Sequence, residues 1–120
     1  MPATVRPIIV TADLDRLLAF YTGLLGAREN FRYPEDGPAF YVGLALGESE
    51  LGLSTDVSVQ PGSPGRMLLS IEVPDVDAVL PRVEALGGTA GSGANDMPWG
   101  QRVAHIADPD GNVVNLTQTL

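Results

Sequence analysis

The chain has 120 residues, 44% of them hydrophobic, enough for one compact domain and too few for two ordinary ones. It contains no cysteine and no lysine, which removes disulfides, thiolate chemistry, cysteine-ligated zinc or iron–sulfur sites, and lysine Schiff bases. Fifteen acidic residues against seven arginines give a formal charge of −8, which repels a phosphate backbone, so nucleic acid is not an expected partner; the acidity serves solubility or else attracts a cationic ligand, and composition does not separate the two.

The N-terminal "VRPIIVT" is β-branched and reads as a strand. Neither a long apolar run nor a basic segment ahead of an apolar core is found, so a cytoplasmic protein without membrane attachment is expected. Asp13 caps a helix whose apolar residues Leu17, Leu18, Tyr21, Leu24 and Leu25 recur at helical spacing, and Gly26 stands where a left-handed residue ends it. Three extended segments follow, "ARENFRY", "PAFYVGLAL" and "SELGLST". The Pro/Gly-rich "DVSVQPGSPGR" then reads as a linker.

The second half repeats the first. "VTADLDRLLAFYTGLLGA" aligns without gaps on "EVPDVDAVLPRVEALGGT" at a constant spacing of 62 residues, Asp13 on Asp75 and Gly26 on Gly88. Here Val76, Val79, Leu80, Val83 and Leu86 form the apolar stripe, and Pro81 within it predicts a kink or an irregular first turn. The strands are "GTAGSG", "QRVAHIA" and "NVVNLTQ", the last two joined by the turn "DPDG". Each half is therefore βαβββ. The division is residues 1–56 for the first module, 57–65 for the linker and 66–120 for the second, within a single domain.

Several residues stand out chemically. Trp99, the only tryptophan, lies between Pro98 and Gly100 in "DMPWG" with Met97 beside it, a loop setting in which the rigid indole either lids the core or supplies a stacking wall for a ligand. Phe31 and Tyr33 alternate onto one strand face in "NFRYP", where such aromatics either pack in the core or line a ligand wall. His105, the only histidine, shares a face of its strand with Val103 and Ala107; its bland role is a half-buried, hydrogen-bonded strand residue and its sharper one a general acid/base. A two-histidine metal site cannot come from one such chain.

"ADLDRLLAFYTGLLGA", "PDVDAVLPRVEALGG" and "PWGQRVAHIADPDGNVVNL" together resemble the vicinal-oxygen-chelate superfamily, which includes glyoxalase I, extradiol dioxygenases and the bleomycin-resistance proteins. The resemblance implies an α+β fold, two βαβββ modules forming a curled mixed sheet around a cavity, usually completed by a second subunit. In metal-using members two histidines and two glutamates hold a divalent ion. The matching positions here are Arg6, Leu68, Asn115, and either Gly52 or Leu53, so no metal and no other cofactor is expected. The bleomycin-resistance proteins share the PWG tryptophan and place an aromatic near the start of the third strand, which implies Phe40 or Tyr41 as a second wall of a ligand crevice. Arg6 and Asn115 are then expected to point inward, with Glu50, Glu72 or a ligand meeting the arginine.

The expected function is metal-free binding of a small aromatic drug or natural product, the acidic balance suiting a cationic one, an antibiotic-resistance activity by stoichiometric sequestration in a homodimer. The expected ligand contacts are Arg6, Phe31, Tyr33, Phe40, Tyr41, Met97, Trp99, His105 and Asn115. The alternative is an isomerase, epimerase or lyase of the same superfamily that uses His105 or a carboxylate without a metal.

Overall fold

The computed structural model describes residues 6–58 and 68–120. The chain divides into two compact units, residues 1–60 and 61–120. Residues 59–65 of the expected linker lie outside the described residues.

The first unit runs β1 (Ile8–Thr11), α1 (Leu14–Leu25), β2 (Arg28–Tyr33), β3 (Tyr41–Leu46) and β4 (Ser49–Thr55). Its mixed sheet has the order β1-β4-β3-β2, with β1 parallel to β4 and the other pairs antiparallel. The parallel pair is possible because α1 carries the chain back across the sheet. Asp13 caps α1 by accepting from the backbone N–H of Arg16 at 3.2 Å, and Gly26 ends it with φ +69°, a conformation that glycine adopts without a Cβ penalty.

The core of this unit is made by Leu14, Leu17, Phe20, Tyr21 and Leu24 of α1 with Val42, Leu44, Leu51 and Leu53 of the sheet. The buried arc centres on Leu17. It therefore takes in Phe20 on one flank and leaves Leu18 and Leu25, expected inside, half-buried on the other.

The second unit repeats the plan with β5 (Leu69–Glu72), α2 (Val76–Ala85), β6 (Thr89–Asp96), β7 (Gln101–Ala107) and β8 (Val113–Thr119), in the order β5-β8-β7-β6. Asp75 caps α2 through the N–H of Ala78 at 3.3 Å. Contrary to the expected irregular first turn, the helix is unbroken from Val76 to Ala85 with Pro81 inside it. Proline removes the donor that would meet the carbonyl of Asp77, and both residues are exposed, where solvent reaches that oxygen. Only Val76 and Val83 of the predicted stripe are fully buried in the helix; Val79, Leu80 and Leu86 are half-buried.

Strand pairing settles the register left open by the sequence. Ile8 pairs with Gly52 in the first unit, and its repeat counterpart Ser70 pairs with Asn115. Across the neighbouring strand Gly43 pairs with Gly52 and His105 with Asn115. Gly52 is thus the counterpart of Asn115, and Leu53 belongs to the core at 0% exposure. The shift arises in the hairpin turns: residues 46–49 lie between the paired Ala45 and Glu50, whereas residues 108–112, one more, lie between Ala107 and Val113.

Candidate functional site

Strand alternation sends Val42, Leu44, Leu51 and Leu53 to the helix and leaves the other face of the first sheet open. That face carries exposed apolar side chains: Ile8 and Val10 from β1, Phe31 and Tyr33 from β2, and Phe40 just before β3. The rings are paired edge to face, Phe31 with Tyr41 at 6.0 Å between centroids and Tyr33 with Phe40 at 5.4 Å.

A cavity of about 430 Å³ opens on this face. Phe31 and Tyr41 supply its aromatic lining, Gly43 lies between them, and Arg6, Glu50 and Asn30 make its polar end. Arg6 donates from Nε (3.1 Å) and from Nη2 to Glu50 Oε2, while Asn30 Nδ2 donates to Glu50 Oε1 at 3.3 Å. The Arg6 hydrogen bond and charge hold the Glu50 carboxyl below its ordinary range, and Glu50 in return raises the Arg6 guanidinium. Of the partners considered for Arg6, the structure selects Glu50. The arginine is not buried, its side chain being 51% exposed.

Glu72 is committed elsewhere. Its carboxylate accepts from the Thr117 hydroxyl at 2.8 Å and from the Thr119 N–H and hydroxyl at 2.8 and 2.9 Å, contacts that lower its pKa and tie β5 to the end of β8.

The open face of the second sheet is more polar. His105 Nδ1 and Asn115 Oδ1 are 2.5 Å apart; an amide oxygen only accepts, so Nδ1–H donates and Nε2 remains available on an exposed residue. The exposed setting departs from a half-buried strand histidine. Beside it β6 is irregular between Ala90 and Ala94, and a Cβ at Gly91 would stand 2.8 Å from the His105 carbonyl oxygen. Trp99 and Met97 lie in the turn between β6 and β7, closed by the hydrogen bonds Met97 N–H to Gln101 (2.7 Å) and Gly100 N–H to Met97 (3.0 Å). Trp99 is 68% exposed, and its indole N–H donates to Gln101 Oε1 at 2.9 Å.

The structure therefore gathers Arg6, Phe31 and Tyr41 at one cavity, sets Tyr33 and Phe40 on the same face, joins His105 to Asn115, and places Met97 with Trp99 in one turn. Asn30 and Gly43 of this cavity are not among the site residues expected from the sequence. Asn30 sits at the β-bulge of β2, between the paired residues Glu29 and Phe31, and a single sequence gives no sign of that irregularity.

A family model described as the Glyoxalase/Bleomycin resistance protein/Dioxygenase superfamily matches residues 3–116. The chain belongs to this superfamily. An uncharacterized protein of Mycobacterium bovis is 31% identical over 122 residues, covering 93% of this chain and 80% of that protein. Among solved structures, a glyoxalase/bleomycin resistance protein/dioxygenase family enzyme from Burkholderia phytofirmans superposes with TM-score 0.78 at 24% identity, covering 96% of this chain and 97% of that one. The fosfomycin resistance protein FosX from Mesorhizobium loti superposes with TM-score 0.76 at 15% identity, covering 100% and 94%, a likeness of fold.

The metal that some members of the superfamily use does not fit the residues present here. The four corresponding positions offer a guanidinium (Arg6), a glycine (Gly52), an alkyl group (Leu68) and a carboxamide (Asn115), a set with one oxygen donor and no carboxylate or imidazole. Among the described residues no helix is long and apolar enough to cross a membrane.

Proposed function

We propose that this chain binds a small planar aromatic compound, a drug or natural product, and acts by sequestering it unchanged, without a metal and as a homodimer. The observation that carries this reading is the cavity of about 430 Å³ lined by Phe31 and Tyr41, on a sheet face rich in exposed aromatic side chains. Sites for small molecules are concave, largely apolar and furnished with a few polar groups, and this one has both parts. The homodimer is supported by the same face: Ile8, Val10, Phe31, Tyr33 and Phe40 are each at least 45% exposed on a single chain, and contiguous apolar surface of this kind marks an interface or a ligand site.

A second reading has one observation in its favour. The His105 ring is exposed and oriented by Asn115 through Nδ1, the arrangement that a general base acting through Nε2 requires. One experiment separates the two. Planar aromatic natural products are screened by thermal shift, since a ligand of the native state raises the melting temperature with its concentration. Each binder is then recovered and its mass and stereochemistry compared before and after incubation. An unchanged ligand supports sequestration, conversion that stops in His105→Gln supports the enzyme, and no binder in the screen overturns the proposal.

A further inference from the structure

We infer that the polar end of the first unit's cavity selects an uncharged, dipolar group such as a primary carboxamide, and discriminates against both cationic and anionic versions of the same ring. The inference rests on the binding reading above and adds the class of ligand.

The net charge of −8 attracts cations at long range, but that field is screened over about 8 Å at physiological ionic strength, and the groups within the cavity decide what is held. Those groups are a closed ion pair. Glu50 Oε2 is occupied by Nε and Nη2 of Arg6, and Oε1 by Asn30. A cationic ligand reaches Glu50 only by displacing a guanidinium or an amide donor already there. An anionic ligand in turn competes with Glu50 for Arg6. The opposite directions of the two pKa shifts keep both partners ionised near neutral pH, so neither charge is relieved by a proton.

A carboxamide avoids both conflicts. A guanidinium carries five N–H donors and an ionised carboxylate about four acceptor positions. Two Arg6 nitrogens face Glu50 and the Tyr41 hydroxyl also interacts with the guanidinium, which still leaves N–H donors for the ligand carbonyl oxygen, and the ligand NH₂ has a lone pair to donate to, with the ion pair left intact. Phe31 and Tyr41, at 62° to one another, supply apolar contact for the ring that bears the amide.

The test compares three ligands of one size, 2-naphthamide, 2-naphthamidine and 2-naphthoate, titrated into the full chain with affinity read from backbone amide NMR shifts at Asn30, Gly43 and Gly52. In the natural protein the amide should bind more tightly than either charged isostere by up to about fivefold, the scale of one contact at an exposed ion pair. Glu50→Gln frees the guanidinium and should move the preference toward naphthoate by about tenfold, and Arg6→Gln should move it toward naphthamidine by about the same, as charge-assisted hydrogen bonds replace neutral ones. Unfolding midpoints of both variants confirm that they are folded. The inference is overturned if a charged isostere binds best to the natural protein, if the order is the same in all three proteins, or if none of the ligands shifts those three amides. If the aromatic compounds of the thermal-shift screen bind all the same, sequestration stands and only the ligand class assigned here is wrong.

Discussion

The Tyr41 hydroxyl lies so close over Gly52 that a Cβ added to the glycine would stand 2.5 Å from the phenolic oxygen and 3.0 Å from Cζ. The ring can occupy this place because the strand beneath it has no side chain. Gly52→Ala should therefore swing Tyr41 away and remodel the cavity wall, weakening an aromatic ligand by about 1 kcal/mol, the value of a well-placed aromatic contact. Folding stability should change by less than about 1 kcal/mol, since alanine is no worse than glycine in a strand and the atoms it meets belong to the Tyr41 and Ile8 side chains, not to backbone. Calorimetric titration and urea unfolding of the one variant check both parts, and unchanged affinity would remove Tyr41 from the ligand wall.

Trp99 should behave as a surface residue. With the indole 68% exposed, Trp99→Ala is expected to lower stability by less than about 1 kcal/mol, against the 3 to 5 kcal/mol typical of a core tryptophan. Where it stacks on a ligand, the same change should cost about 1 to 3 kcal/mol of affinity. Fluorescence is a clean readout, because the chain has one tryptophan.

Glu72 should give the protein part of its acid sensitivity. Its pKa is lowered in the folded chain, first by the Thr117 hydroxyl and then by the N–H and hydroxyl of Thr119. The stability it contributes is therefore complete above the ordinary carboxylate range and is lost as pH falls through the depressed folded value. Glu72→Gln should be less stable than the natural chain at pH 7, and the gap should close in acid. Parallel denaturation curves measured from pH 7 down to the acid limit would show this convergence, and a constant gap would contradict it.

Chelators should leave the melting temperature unchanged, and the purified protein should contain no stoichiometric zinc, nickel, iron or manganese. The donor set at Arg6, Gly52, Leu68 and Asn115 motivates this expectation. Elemental analysis that finds about one such ion per chain would refute it.

Local signals carried the elements well. The caps Asp13 and Asp75, the glycine stop at Gly26, and the whole of β4 and β7 follow from residues adjacent in sequence. Which face of α1 is deepest did not follow, because Leu18 and Phe20 are equally apolar and only the position of the sheet distinguishes them. The partner of Arg6 was similarly undetermined. Glu50 and Glu72 are both acidic strand residues, and what separates them is that Thr117 and Thr119 stand next to Glu72 across the β5–β8 pair. Asn30 was out of reach because a β-bulge has no reliable mark in one sequence.

The additional residue in the turn between β7 and β8 bears on protein engineering. A graft copied from one half to the other at the spacing that relates β3 to β7 is wrong by one position in the strand after that turn, and in a strand one position means the opposite face. A carboxylate meant to complete a site in the first half belongs at Gly52. Placed at Leu53, it would be driven into the hydrophobic interior, where an unpaired charge is incompatible with a folded chain.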